Sequence, residues 1–181
     1  MQKFIDIPVL QNWARLGKGA SILEVGCGNG GVARYLSEKL RAKNYTAVDI
    51  DPKMIAQAES LTERNSRLIF QVADFCNLPF DDKSFDAVIV MDVLHHLINW
   101  KKGIKEVHRV LKNGGKLLLR EYSIETFSVP VLGLIFRHLL DHPYEFMFDQ
   151  RELLSFIRKN GFDITHQNDM SWLLMLVGVK K

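Results

Sequence analysis

Only two cysteines, Cys27 and Cys76, occur among the 181 residues, and they lie far apart. Neither has a second cysteine or a histidine at ligand spacing, so no metal site is expected. A long hydrophobic run is missing as well. The longest apolar stretch, Ser128 to Leu140, is broken by Pro130, Arg137 and His138. It falls short of the roughly 20 apolar residues that a bilayer-spanning helix needs. Met1 to Asp6 has no basic segment followed by an apolar one, so it does not read as a secretory leader. Scarce cysteine and the lack of a leader make a cytoplasmic location the expectation, with no transmembrane segment. Strong charge of one sign is also lacking: 24 Lys and Arg against 21 Asp and Glu leave +3 at neutral pH. The basic residues are scattered rather than gathered in a stripe, which disfavours a nucleic-acid partner. No internal repeat or low-complexity linker interrupts the chain, which predicts a single domain over 1–181. Its 47% hydrophobic and 25% charged residues are those of a globular protein able to bury a core.

What the chain does contain is an alternation of short apolar runs with amphipathic segments, the pattern of a parallel sheet with crossover helices. A first helix is expected over Pro8 to Leu16, stopped by Gly17. Ser21 to Val25 is β-rich and ends at glycines, and Val32, Leu36 and Leu40 then recur at helical spacing. Tyr45 to Ile50 reads as a second strand. Asp51-Pro52 offers an N-cap and a proline at the first helical position of the segment carrying Met54, Ile55, Ala58 and Leu61. Leu68 to Val72 and Phe85 to Met91 read as the third and fourth strands, the fourth apolar enough to be buried on both faces. A helix around Ile104, Val107 and Leu111 is expected to end at Lys112-Asn113-Gly114-Gly115, with the fifth strand starting at Lys116. Asp149-Gln150-Arg151-Glu152 has capping-box spacing before Leu153, Leu154, Phe156 and Ile157. Phe162 to Gln167 and Trp172 to Val179 are joined too closely for a parallel crossover and should pair antiparallel.

The richest segment is Glu24-Val25-Gly26-Cys27-Gly28-Asn29-Gly30-Gly31. A strand that ends in glycines and opens a helix lets the backbone approach a ligand, because no Cβ intervenes. The helix N-terminus beyond it presents amides to an anion. Alone, such a loop also suits a tight structural turn. Gly26, Gly28 and Gly31 even satisfy the G-x-G-x-x-G spacing of NAD sites. Three carboxylates add information. Glu24 precedes the first glycine by two residues, and Asp49 ends the second strand, where it can accept from both hydroxyls of a ribose. Asp74 follows the third strand, where it can accept from an adenine amine, with Ile50 and Phe75 as apolar neighbours for the ring. All three lie at the carboxyl edge of the sheet, where ligands bind.

These residues resemble the class I S-adenosylmethionine (SAM)-dependent methyltransferases, in particular the small-molecule type similar to the quinone-biosynthesis C-methyltransferases. Ile22 to Gly30 is similar to the family's first motif and Val48 to Met54 to its ribose-binding segment. Ala73 to Phe80 with Ser84 to Val88 is similar to the adenine-side motif and the strand after it. Val93-Leu94-His95-His96-Leu97 and Val110 to Leu117 are similar to two later signatures. The likeness runs from Ile22 to Leu119. It implies an α/β, Rossmann-like three-layer sandwich, with a mostly parallel seven-stranded sheet and a C-terminal antiparallel hairpin. It also implies SAM as cofactor, with S-adenosyl-L-homocysteine as product. By that resemblance Gly26, Cys27, Gly28 and Gly30 belong to the methionyl end, and Glu24 organises its amine side. Asp49 holds the ribose and Asp74 with Phe75 the adenine. Ile50 and Met54 pack on the adenine ring, and Met91 borders the methionine moiety through its backbone.

A sulfonium brings its own leaving group, so the protein has chiefly to align the acceptor. A base is needed only when the acceptor must lose a proton. Candidates lie beyond the carboxyl edge: His95, with His96 beside it, after the fourth strand, and Glu121 and Tyr122 after the fifth. The histidine pair also suits the start of a helix with a buried ring, and Glu121-Tyr122 an exposed loop. The segment 126–148, rich in Phe127, Val131, Leu134, Ile135, Phe136, Phe146 and Phe148, reads either as an acceptor-pocket wall or as packing on the sheet. Met91-Asp92-Val93-Leu94 stands where the amino-methylating members carry an Asn-Pro-Pro-Tyr-like motif, which disfavours adenine or glutamine as acceptor. The expected partner is thus a small, apolar or aromatic acceptor, taken by a monomer or homodimer. A non-catalytic SAM-binding or partner-binding domain and an NAD-dependent oxidoreductase are the competing readings.

Overall fold

A computed structural model of the chain describes residues 3–40, 42–63, 67–122, 148–168, 170 and 172–181. Helix α1 (Lys3–Ala14) precedes β1 (Ser21–Val25), α2 (Gly31–Lys39), β2 (Asn44–Asp49), α3 (Pro52–Ser60) and β3 (Leu68–Val72). Then come β4 (Phe85–Met91), a short 3-10 turn (Leu94–His96), α4 (Trp100–Val110) and β5 (Leu111–Tyr122). Helix α5 (Gln150–Lys159), β6 (Phe162–Gln167) and β7 (Leu173–Lys180) complete the order. The seven strands form one sheet ordered β3-β2-β1-β4-β5-β7-β6. The first five are parallel, whereas β7 runs antiparallel to both β5 and β6. Sheet order reverses next to β1, so the carboxyl ends of β1 and β4 open a crevice there.

Alternation along each central strand explains the layers. Leu23, Val25, Val88, Val90, Leu117 and Leu119 share one core with Ile104 and Val107 of α4 and Leu153 and Ile157 of α5. Ile22, Ala87, Ile89 and Leu118 face the opposite core with Ala14, Ala33, Leu36 and Ile55 of the first three helices. Both faces of β1 and β4 are therefore covered, as an apolar parallel strand requires.

Local chemistry sets the helix ends. The Lys53 amide donates to Asp51 Oδ1 (2.8 Å) and the Glu152 amide to Asp149 Oδ1 (2.6 Å), so both aspartates cap as their positions predict. Two elements differ from expectation. Helix α1 begins five residues before Pro8 rather than at it. A proline forgoes one amide bond, and buried Leu10 and Ala14 anchor the turns that follow. Strand β5 starts at Leu111 rather than Lys116, because α4 stops at Val110 and the Leu111 backbone is already extended. Carbonyls in the last turn of α4 and at its C-cap are taken by a lysine from the far end of the chain. Lys180, 6% exposed, donates from Nζ to the carbonyls of His108 (2.7 Å) and Leu111 (2.8 Å). Most of the apolar segment 126–148 lies outside the described residues. Phe148 at its end is buried, its ring centroid 5.2 Å from that of Trp100.

Beside Lys180, His108 of α4 meets Phe162 edge-on at 5.4 Å. Burial, and after it the charge of Lys180, pushes the imidazole below its ordinary 6.5. The unfolded chain then takes up a proton before the folded one as pH falls, and stability drops through that window. Glu106 adds a separate loss at lower pH, because its hydrogen bond from Arg109 holds the carboxyl below its usual range. Replacing His108 with Phe should flatten the pH dependence of the urea midpoint below about pH 6.5, leaving the carboxylate loss near pH 4. A slope identical to that of the wild type would show that His108 does not carry it.

Candidate functional site

The glycine loop at the end of β1 is held shut against β2. The amides of Gly26 and Cys27 both donate to the carbonyl of Val48 (2.8 and 3.0 Å), and Gly30 donates to the carbonyl of Cys27 (3.0 Å). Gly26, Gly28 and Gly30 all have positive φ, at 71°, 53° and 75°. Two of them also sit where a side chain would collide. A Cβ on Gly26 would lie 2.3 Å from Val93 Cγ2, and one on Gly30 2.7 Å from the Phe70 ring. Only glycine meets both demands, backbone and space.

Next to this loop, at the carboxyl edge, is a cavity of about 320 Å³, within the range of small-ligand sites. Gly26 and Gly28 form one side of it, and Asp49, Ile50, Asp74 and Phe75 a second. Asp92, Val93, His96 and Leu97, which follow β4, form the third. Asp49 is fixed by two amides: Gly28 N donates to Oδ2 (2.8 Å) and Asp51 N to Oδ1 (3.0 Å). Asp74 Oδ1 accepts from Cys76 N (2.8 Å). Phe75, 4% exposed, lies across α4 where Gly103 has no side chain to block it. Ile50 is 67% exposed. An isoleucine left that open on a cavity rim is apolar area without a partner in the protein, which suits a flat apolar group.

Not every residue singled out in the sequence reaches this wall. Glu24 is buried beneath the loop, where Tyr45 donates its hydroxyl to Oε2 (2.6 Å). Burial, and then Glu24, raises the Tyr45 phenol well above its usual 10, so the phenol stays a donor. Cys27 is buried beside them. Burial, with Glu24 and Asp49 adding to it, pushes its thiol up to about 12, which leaves it protonated and unreactive at neutral pH. Gly30 packs on Phe70 and Ala58 instead of on the cavity. Met91 is a buried residue of the core on the α1 side, and Met54, 37% exposed, stands on the first turn of α3.

Three of the catalytic candidates also lie behind the wall rather than on it. Glu121 is fully buried, not an exposed loop residue. Its carboxylate accepts from the amides of Val93 (2.8 Å), Leu94 (2.6 Å) and Tyr122 (3.1 Å), and from Nδ1 of His95. His95 is thereby turned inward, 7% exposed, and the neighbouring His96 occupies the wall. Tyr122 accepts from Nη2 of Arg120 (3.1 Å). Arg120 itself is fully buried and pairs through Nη1 with Asp92. Asp92 and Arg120 were not singled out by sequence. Asp92 has φ 57°, a turn that no residue pattern announces. The signals available were a charged residue directly after β4 and an arginine within an apolar strand.

Residues 23–119, over half of the chain, match the family described as "Methyltransferase domain". Over 140 residues the chain is 30% identical to the ubiquinone/menaquinone biosynthesis C-methyltransferase of Geobacter sp. (strain M21), an alignment covering 71% of this chain and 60% of that one. Over 99 residues it is 40% identical to the phthiotriol/phenolphthiotriol dimycocerosates methyltransferase of Mycobacterium leprae (strain TN), covering 55% of this chain and 36% of that one. The chain thus spans less than two thirds of either relative's length. It superposes on an S-adenosylmethionine dependent methyltransferase from Mesorhizobium loti with a TM-score of 0.80 and 17% identity, covering 97% of each chain, a likeness of fold. Because the matched span begins in β1 and runs into β5, through every element that walls the cavity, the chain belongs to the class I S-adenosylmethionine-dependent methyltransferase family.

Proposed function

We propose that this chain, as a single domain over 1–181, binds SAM in the cavity and transfers its methyl group to a small, apolar or aromatic acceptor, releasing S-adenosyl-L-homocysteine. The observation that carries this reading is the cavity wall itself, where the fixed carboxylate of Asp49 and that of Asp74 flank the exposed Ile50. Carboxylates there favour a cationic ligand that offers hydroxyl and amine donors. Asp49 alone suits the ribose of NAD and SAM alike; Asp74 as an acceptor for the adenine amine and the closing antiparallel hairpin favour SAM. Asp49 accepts from the ribose hydroxyls and Asp74 from the adenine amine, using lone pairs not taken by the backbone. Ile50 and Phe75 flank the adenine ring, and Met54 closes over its open side. Gly26 and Gly28 admit the methionyl end. Behind them, Glu24, Cys27 and Gly30 hold the loop, and Met91 borders the site through its backbone.

When bound, the sulfonium supplies both an electrophilic methyl group and its leaving group. The protein's share is alignment, an effect of about 7–11 kcal/mol in favourable intramolecular cases. The acceptor enters from the side formed by Asp92, Val93, His96 and Leu97. No helix among the described residues is long and apolar enough to cross a membrane, and we assign the protein to the cytoplasm as a monomer or homodimer.

Titration calorimetry with SAM, S-adenosyl-L-homocysteine and NAD tests the cofactor. The two sulfur ligands should bind the wild type and NAD should not. Asp49→Ala should weaken them by about 3 kcal/mol, more than a hundredfold, for two hydrogen bonds to a charged acceptor. Preference for NAD, or an unchanged affinity in the variant, would remove the assignment. Turnover of the methyl group in an acceptor screen then separates an enzyme from a binding domain.

The loop makes a second prediction. Gly26→Ala combines a strained φ with a collision against Val93, and should lower stability by about 2–4 kcal/mol in urea unfolding. Adding Val93→Ala removes the collision but not the strain, so the double variant should recover about half of that loss. No recovery would mean that contact with Val93 is not what demands glycine.

A further inference from the structure

One wall of the cavity is backed by more polar structure than a short turn needs. Glu121 accepts the amides of Val93 and Leu94 through Oε2, and through Oε1 the amide of Tyr122 and Nδ1 of His95. Because an ionised carboxylate only accepts, the His95 proton is assigned to Nδ1. The His95 ring then lies against that of His96, with centroids 4.1 Å apart and planes tilted by 41°. His96 is the only imidazole on the cavity wall among the described residues. Asp92, on the same wall, is paired with the buried Arg120. The wall thus presents one nitrogen base, braced from behind by a buried carboxylate.

We propose that His96 takes the proton of the methyl acceptor, and that Glu121 is its positioning residue, acting through His95 and the amides of residues 93 and 94. The inference rests on the methyl-transfer reading and narrows it. The acceptor is an acid that must be deprotonated, such as a phenol or a carbon acid of similar strength. Its proton passes to a ring nitrogen of His96, and the electron pair left behind forms the bond to the methyl carbon. The pair of the breaking carbon–sulfur bond stays on sulfur, and His96 later returns its proton to water. The charged and titratable groups around His96 are His95 against its ring and Asp92, Asp49 and Asp74 on the same cavity wall; behind them, Glu121 and Tyr122 of β5 contact His95, and Arg120 contacts Asp92.

The full chain loaded with S-adenosyl-L-homocysteine is titrated with 4-nitrophenol, whose ionisation is read by absorbance across pH. Bound phenol should ionise at least about one pH unit lower than free phenol, a tenfold change in its proton equilibrium. His96→Asn should abolish the shift. Glu121→Gln and His95→Gln leave His96 in place, and should reduce the shift while still binding S-adenosyl-L-homocysteine. A role confined to folding would not move this midpoint. If Glu121→Gln does not fold, His95→Gln decides. No shift in the wild type, or a full shift in His96→Asn, overturns the base. A full shift in both positioning variants overturns the role of Glu121. Failure of the wild type to bind S-adenosyl-L-homocysteine would instead remove the reading beneath the proposal.

Discussion

Strands of a parallel sheet that stop at one edge leave backbone amides pointing into the space beyond, and in this protein carboxylates take them. Asp49 accepts from Gly28 and Asp51, Asp74 from Cys76, and Glu121 from Val93, Leu94 and Tyr122. Each bond is charge-assisted, and each satisfies an amide that the strand ladder leaves without a partner. The same bonds decide where the carboxylates stand. A side chain tied to two amides has few rotamers left, so Asp49 is already in place when a ligand arrives, and little ordering remains to oppose binding. Satisfying the sheet edge and preparing the site are one requirement.

Depth divides the acidic residues into two roles. Asp49 and Asp74 stay partly open and keep accepting capacity toward the cavity. Glu24 and Glu121 are buried and contribute nothing to the wall; Glu24 accepts the hydroxyl of Tyr45, and Glu121 fixes the turn in front of it. Glu24 with Tyr45 sits beneath the glycine loop, and Glu121 beneath the turn of residues 93–95. Burial of these groups without partners would be costly. Paired as they are, they are tolerated in the interior behind the wall.

The alternation of strands and helices was legible because apolar period and glycine position carry it: β1, β3 and β4 fall on the residues their patterns predict, and Asp51 and Asp149 cap as placed. So was the closing hairpin, since the link between Gln167 and Leu173 is too short for a crossover. The carboxyl edge was legible too, because acids at three successive strand ends must share it. What periodicity could not tell was depth at the strand ends. One residue past β4 the chain takes a left-handed turn at Asp92, and alternation no longer says which way a side chain points. The sequence therefore offers the histidine pair without saying which ring is buried, and the structure turns His95 inward and leaves His96 on the wall. Gly30 shows a related limit, since it packs on Phe70 and Ala58. A glycine needed for close packing and a glycine needed for ligand approach leave the same letter in the sequence.

The pair of Arg120 and Asp92 shows what such a turn requires. Asp92 adopts φ 57°, which costs a residue other than glycine about 1–3 kcal/mol unless its surroundings hold it there. Its amide donates to the Arg120 carbonyl (2.9 Å), and its carboxylate receives the Arg120 guanidinium. A buried ion pair of this kind adds little net stability over a well-packed apolar pair, because desolvation offsets the attraction. Its value here is directional. An apolar pair would leave the turn after β4 free to relax toward the extended backbone that suits most residues. Val93 would then move from its contact with Gly26, and the 93–97 wall would lose its register with the glycine loop. Held at both backbone and side chain, Asp92 keeps the two sides of the cavity at a fixed separation, which is the alignment that an in-line transfer demands.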